Sequence, residues 1–392
     1  MPHTRNRHVS ALIMKRIGLW PVLGILGARQ TGKTTLLREI LGKNVRASYV
    51  TLDSKSLREQ ARRAPEYFLE TQGDKKSLII DEVQKAPDLF DAIKASVDIK
   101  RIPGRFILSG STQFSEKVGI RESLTGRMGL FHLLPMTMNE THNRELGKCW
   151  TDLKFRSHFS QKETLNYIRQ GGLPGICFLR SVDERFASYE SWIDTTCFRD
   201  LPQIRGRALD GELAKDLLVV VARLGQEATI NNISKTLKKD TRVVKRYIEA
   251  LEILFVINRL EPYALGIGKT QYYLFDSGLN QHLGGSLLQS LRICIQNEIK
   301  AQYGYAGKPN PRIKFYSSRS GSKIDLVIET REGKKFAILI TDEASPSKYT
   351  MRTLTAFETK VPDCLSFIVA PSDAVTKLSK GTTLIPWTDC MS

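Results

Sequence analysis

The run Gly27-Ala28-Arg29-Gln30-Thr31-Gly32-Lys33-Thr34-Thr35 has the spacing GxxxxGK[ST]. Glycines at these places let backbone N–H groups wrap phosphate oxygens, a lysine reaches the β and γ oxygens, and the following hydroxyl ligates Mg²⁺. Lys33 and Thr34 take those two roles. Further on, the apolar run Ser77-Leu78-Ile79-Ile80 ends in Asp81-Glu82. A carboxylate at a strand end holds Mg²⁺ through water, and a second beside it can orient and deprotonate an attacking water. Asp81 is therefore the expected metal residue and Glu82 the expected general base. Together these residues predict binding and hydrolysis of a nucleoside triphosphate.

Three further polar residues could act on the γ-phosphate. Ser109 closes the apolar run Arg105-Phe106-Ile107-Leu108 and stands where a sensor side chain belongs, although a serine ending a strand is also an ordinary turn former. Arg127, in Leu124-Thr125-Gly126-Arg127, follows at a spacing that suits an arginine stabilising transition-state charge, in cis or from a neighbouring subunit. Arg199, beside Asp200, is a second arginine for the same work; a surface ion pair is the plain alternative for each.

The elements that must position these side chains are legible as patterns. Residues 1–140 alternate apolar runs with helical stretches, the signature of a parallel α/β sheet in which Val22–Leu26 feeds the phosphate loop and a helix leaves it. Continuous apolar runs without alternation fit strands buried on both faces. Residues 141–208 read as a helical lid, interrupted by the turn-rich Gln170-Gly171-Gly172-Leu173-Pro174-Gly175. Residues 209–285 read as a compact helical unit closing in a hairpin, and residues 286–392 return to mixed α/β.

Within the third unit, Ile230–Leu237 and Thr241–Leu254 predict two helices joined by Lys238-Lys239-Asp240. Val244, Tyr247, Ile248 and Leu251 fall on one face of the second helix. Lys245 and Arg246 then point outward and join Lys235, Lys238, Lys239 and Arg242, six basic residues against one acid over residues 235–246. With a hairpin wing over Phe255–Tyr263 and Gln271–Phe275, this reads as a winged helix whose second helix could enter a major groove, its cations on phosphates. The competing expectation is an interdomain strut.

GARQTGKTTLL, YVTLD, LIIDEVQKAPDLFDAIK, FILSGSTQF, ESLTGRM, LLPMTMNE and RQGGLPG, followed by an Arg-Asp pair, occur in that order. In this the chain resembles the prokaryotic AAA-fold ATPases in which a P-loop module is followed by a winged helix and a restriction-endonuclease-like domain. The resemblance implies ATP rather than GTP, and a five-stranded sheet with the sensor strand between the P-loop and acidic strands. The last unit resembles a PD-(D/E)xK nuclease fold, with Glu298 and Asp325 at its first two acidic places. Leu339 and Thr341 stand where the third acid and the lysine belong. A two-residue slip would bring Thr341 and Glu343 there, still without a lysine, so a non-cleaving domain is expected.

The chain has 392 residues, with 41% hydrophobic and 26% charged, and a formal net charge of +18. That charge favours polyanions and makes duplex DNA the leading partner. No apolar stretch approaches the ~20 residues that span a bilayer. The basic N-terminus has no apolar signal core after it. Six scattered cysteines form no CxxC pair and read as reduced, mostly buried thiols in a cytoplasmic protein. The expected function is an ATP-driven conformational switch in a DNA-associated protein. An ATP-dependent nuclease and a signalling ATPase acting on a protein partner are the alternatives, and assembly into a homo-oligomer is left open.

Overall fold

The computed structural model describes residues 5–41, 47–72, 77–114, 124–156, 158–204, 209–379 and 381–391. A short helix α1 (Val9–Arg16) precedes β1 (Val22–Leu26), whose five residues are all buried. The phosphate loop follows. Helix α2 (Lys33–Thr35) runs on as a π-helical turn over Leu36–Leu41, where a regular helix was expected. Next come β2 (Ala47–Thr51), helices α3 (Lys55–Arg63) and α4 (Pro65–Gln72), β3 (Ser77–Asp81), α5 (Leu89–Ile99), β4 (Phe106–Gly110) and β5 (Met128–His132). The sheet order is β2-β3-β4-β1-β5 and every pairing is parallel. This is a P-loop α/β sheet with β4 between β1 and β3. Continuous burial of β1, β3 and β4 explains their unbroken apolar spelling.

The stretch expected to be a lid comprises α6 (Met138–Thr141), α7 (Cys149–Asp152), α8 (Gln161–Gln170), α9 (Val182–Asp194) and a π-helical turn, Thr195–Asp200. Thr137 and Ser160 each open a helix with a reciprocal capping box. Helix α10 (Gly211–Leu224) then packs on α11 (Ile230–Leu237) and α12 (Thr241–Ile253). Asp240 caps α12 by accepting from the Arg242 N–H at 2.7 Å. Val244, Tyr247, Ile248 and Leu251 are buried as their spacing predicted. Strands β6 (Ile257–Pro262) and β7 (Gln271–Leu274) form the antiparallel hairpin.

After α13 (Ser277–His282), the long helix α14 (Leu287–Tyr305) starts at Ser286, whose hydroxyl accepts from the Gln289 N–H at 3.1 Å. Strands β8 (Arg312–Ser317), β9 (Lys323–Glu329) and β10 (Lys335–Ile340) follow, then α15 (Lys348–Lys360), β11 (Cys364–Ala370), β12 (Thr376–Lys377) and β13 (Thr382–Pro386). One sheet runs β12-β13-β11-β10-β9-β8-β6-β7. The hairpin thus shares a sheet with the C-terminal unit: β6 pairs in parallel with β8 through Glu261–Lys314 and Pro262–Phe315. Residues 209–285 and 286–392, separate in the sequence reading, are joined here by backbone hydrogen bonds.

Gly171 and Gly172 close the lid against this body. The Gly172 N–H donates to the buried Asp276 at 2.8 Å, and the Tyr189 hydroxyl donates to the same carboxylate at 3.0 Å. Gly171 has φ 73°, and a Cβ there would lie 2.3 Å from an Asp276 oxygen. Only glycine admits that approach.

Candidate active site

The phosphate loop is shaped by two glycines. Gly32 has φ 94°, and a Cβ on Gly27 would meet the Leu133 carbonyl at 2.3 Å. The Lys33 ammonium is buried and donates to the carbonyls of Gly27 and Ala28, both at 2.8 Å. Burial lowers its pKa to about 8, opposed by the charges of Glu82 and Asp81. Thr31 donates to the Ala28 carbonyl at 2.8 Å and stiffens the loop from within. Gln30, at φ 61°, occupies the left-handed region.

Asp81 is the hub. It accepts from the Thr34 hydroxyl at 2.8 Å, from the Tyr49 hydroxyl at 2.7 Å and from Ser109. The parallel register that sets β3 beside β4 makes the Ser109 contact. Burial and the adjacent Asp81 raise the Tyr49 hydroxyl to about 12, which keeps it a donor. Thr34 and Asp81 offer hard oxygen donors on facing elements. That set fits Mg²⁺, which takes one or two carboxylates and completes its shell with water and phosphate oxygens. No group of three or more histidine, cysteine, aspartate or glutamate side chains suited to a metal occurs among the described residues.

Glu82 sits just past β3 with φ 58°, an uncommon conformation for a residue with a side chain. Its carboxylate accepts from Ser111 at 3.0 Å and from Gln84. It lines a cavity of about 720 Å³ together with Arg29, Ser111, Arg199 and Asp200. Ligand pockets commonly hold ~300–1,000 Å³. Arg29 donates twice to Asp200, once at 3.0 Å, and Arg199 donates to the same carboxylate at 3.2 Å. The structure therefore brings Arg199 to the wall that Glu82 faces, with Asp200 tying it to the loop.

Arg127 is not brought there. Its carbonyl accepts from the N–H of Val22, the first residue of β1, whereas the phosphate loop leaves the other end at Leu26. About 13 Å of strand separates those ends at ~3.3 Å per residue. Its guanidinium instead grips Asp98 at 2.7 and 2.9 Å. This placement turns Arg127 away from the phosphate loop of its own chain. Ser123, at the start of the tetrapeptide before it, lies outside the described residues.

The acidic places of the C-terminal unit are also not assembled. Asp325 is held by Arg292, with Nε at 2.8 Å, by Gln226 and by the Ile340 N–H at 2.6 Å. Glu298 lies about 120° around α14 from Arg292 at ~3.6 residues per turn. It is buried against the lid, accepting from the Met138 N–H at 2.7 Å. Burial raises its carboxyl to about 8. Glu298 and Asp325 therefore face different neighbours, the first against Met138 and the second on Arg292. Thr341 accepts from the Glu343 N–H at 3.1 Å, and Leu339 packs in the apolar layer under α15.

The six basic residues Lys235, Lys238, Lys239, Arg242, Lys245 and Arg246 are all exposed on α11, α12 and their turn. Arg242 pairs with Asp240 at 3.4 Å. The other end of α12 touches the ATPase sheet. The Gln113 N–H donates to the Ile253 carbonyl at 2.8 Å, and the Gln113 amide donates to the Glu252 carbonyl at 3.0 Å.

Arg7, Tyr49, Ser111, Gln113 and Asp200 are site residues the sequence reading passed over. Arg7 is buried, donates to the carbonyls of Thr31 and Leu134, and pairs with Glu140 at 3.1 Å. Its signal was the basic N-terminus. Tyr49 was visible in YVTLD, beside the acidic strand.

Residues 20–142 match the family model described as an AAA domain. Over these residues the chain is similar to AAA-type P-loop ATPases. The match supports ATP binding and hydrolysis as the chemistry of this unit. Residues 161–290 and 293–390 match two domains of unknown function (DUF8612 and DUF4143). An uncharacterized protein of Mycobacterium tuberculosis is 27% identical over 358 residues, covering 87% of this chain and 75% of its own length. One from Mycobacterium bovis matches equally. Among solved structures, a Walker-type ATPase of Pyrococcus abyssi is 16% identical, with 72% of this chain and 98% of that one covered and a TM-score of 0.44.

Proposed function

We propose that the chain is an ATP-hydrolysing switch associated with duplex DNA. Residues 141–208 act as its lid, 209–285 as a winged helix, and 286–392 as a nuclease-like domain that does not cleave. The observation that carries the coupling is the pair of hydrogen bonds from Gln113 to the end of α12. Ser111, two residues earlier, holds Glu82, so one short segment after β4 touches both the general base and the basic helix. A change in what Glu82 contacts moves the segment that caps α12.

Lys33 supplies positive charge at the loop mouth, backed by backbone N–H groups that bind phosphate oxygens. Thr34 and Asp81 would hold Mg²⁺, which when bound neutralises charge on the β and γ oxygens. Glu82 orients a water and accepts its proton as the water oxygen bonds to Pγ and the bond to the bridging oxygen breaks. Ser109 fixes Asp81, and Arg199 stands by for the charge that develops on the γ-phosphoryl group. Arg127 is left a role only in a neighbouring copy of a homo-oligomer.

Support for DNA comes from the net charge of +18 and the six exposed cations on α11, α12 and their turn. The element order α14-β8-β9-β10-α15-β11 supports a nuclease-like ancestry for the last unit. The arginine on Asp325 and the apolar Leu339 support loss of cleavage. Among the described residues no helix is long and apolar enough to cross a membrane. Changing Glu82→Gln lowers ATP turnover by about 10²–10⁴-fold with ATP still bound. Joint change of Lys238, Lys239 and Arg246 to Glu abolishes duplex binding in an anisotropy titration. Unchanged turnover removes Glu82 from its role; unchanged binding at matched salt removes α12 from the DNA contact.

A further inference from the structure

The Arg292 face of α14, away from Glu298, borders a second cavity of about 140 Å³ beside the hairpin and strands β8 and β9. Its wall sets the carboxamides of Gln271, Gln289 and Gln296 beside Tyr273, Phe315 and Tyr316, with the Arg292–Asp325 pair, Glu227 and Lys323 on the remaining side. The two glutamines of α14 are buried, Gln289 at 5% and Gln296 at 2% exposure. Gln289 accepts from Arg292 at 3.2 Å, and Arg292 in turn is committed to Asp325. The Gln296 carboxamide oxygen is buried without a hydrogen-bond partner. An unpaired buried acceptor is destabilising, so a polar group that completes it is favoured.

We propose that this cavity receives a single unpaired, pyrimidine-sized nucleobase. A cavity of ~150 Å³ holds one six-membered ring. A glutamine amide, with donor and acceptor side by side, matches the adjacent acceptor and donor on a base edge. Aromatic rings are the usual partners of a base taken out of its stack. Here Gln296 reads the edge, Tyr273, Phe315 and Tyr316 form the apolar wall, and the exposed Lys269 stands at the mouth for a phosphate. The base comes from a nucleic acid strand or from a free nucleoside. The strand source deepens the reading of a DNA-associated protein and rests on it.

The test uses the full chain and three probes: a fully paired duplex, the same duplex with one unpaired cytidine, and free cytidine and thymidine. Anisotropy is expected to show about tenfold tighter binding to the bulged duplex. Gln296→Leu, of similar volume, removes that preference and leaves the paired duplex unchanged. Gln271→Ala, half-exposed on the rim, weakens the preference at least threefold without disturbing the core. Nucleoside binding by calorimetry, lost in Gln296→Leu and without a bulge preference, upholds the cavity and assigns it to the free base. Absence of any binding sensitive to these two substitutions overturns the proposal. The paired-duplex arm, which depends on Lys238, Lys239 and Arg246, scores the DNA reading separately.

Discussion

At 1% exposure, with the Met138 N–H as its main partner, the Glu298 carboxyl is held uncharged by burial, and that has a pH signature. Its folded pKa is raised to about 8 from an ordinary 4.5. Between those values the native state holds a proton that the unfolded state has released, so stability falls as pH rises through that window. Below it the contribution is fully present; above about 8 it is gone. Thermal melts of wild type and Glu298→Gln should diverge from pH 5 to pH 8, the variant becoming the more stable by several degrees at the upper end. Other raised carboxyls, such as Asp276, are common to both proteins and cancel. A difference in melting temperature that is flat with pH would show that Glu298 ionises normally. Asp325 sits in an ion pair instead. Its charge is matched by Arg292, and Asp325→Ala strands that guanidinium at a site where the side chain is 13% exposed. Removing one partner of a mostly buried pair costs about 3 kcal/mol, readable as a shift in urea midpoint at constant slope.

Elements differ in how plainly the sequence announces them. The phosphate loop and the Asp81-Glu82 strand end are contiguous, and their chemistry demands particular residues at fixed steps, so both could be read directly. The core face of α12 was legible because its other face is solvated. Helix α14 was not: from Leu291 to Gln302 nearly every residue is buried, so no polar stripe marks which side meets which neighbour. Glu298 is the only acid in that helix, and it pointed to a metal site the helix does not face. Arg127 misled for a related reason, since spacing along the chain does not say at which end of a strand a residue stops. Arg7, Asp200 and Gln113 act across 24 or more positions, through contacts that exist only after folding. The Gln113 contact carries a prediction of its own. Gln113→Ala removes the amide donor to Glu252 but leaves Glu82 and the cations intact. Basal ATP turnover should stay within about twofold, while any effect of DNA on turnover is lost; a DNA effect equal to wild type would disconnect the segment after β4 from α12.

At the scale of the molecule, side-chain and backbone contacts link the ATPase unit to the C-terminal body among the described residues. Arg16 of α1 donates to the Gly307 carbonyl just past α14 at 2.8 Å, and the Leu134 N–H donates to the Tyr305 hydroxyl at 3.0 Å, so α1 and the segment after β5 both hold the C-terminal end of α14. The hairpin shares its sheet with β8. On the proposed reading, these ties carry a change at Glu82 to α12 and the hairpin together. The central claim, that ATP turnover and duplex binding are one coupled process, is tested most directly by the rate of phosphate release with and without duplex DNA. Wild type and the variant carrying Lys238, Lys239 and Arg246 all changed to Glu are compared, with Glu82→Gln as the blank. The account predicts a severalfold change in wild-type turnover on adding duplex, falling with salt and absent from the charge-reversed protein. Turnover indifferent to duplex DNA at every length and salt concentration would contradict it and move the partner to another polypeptide.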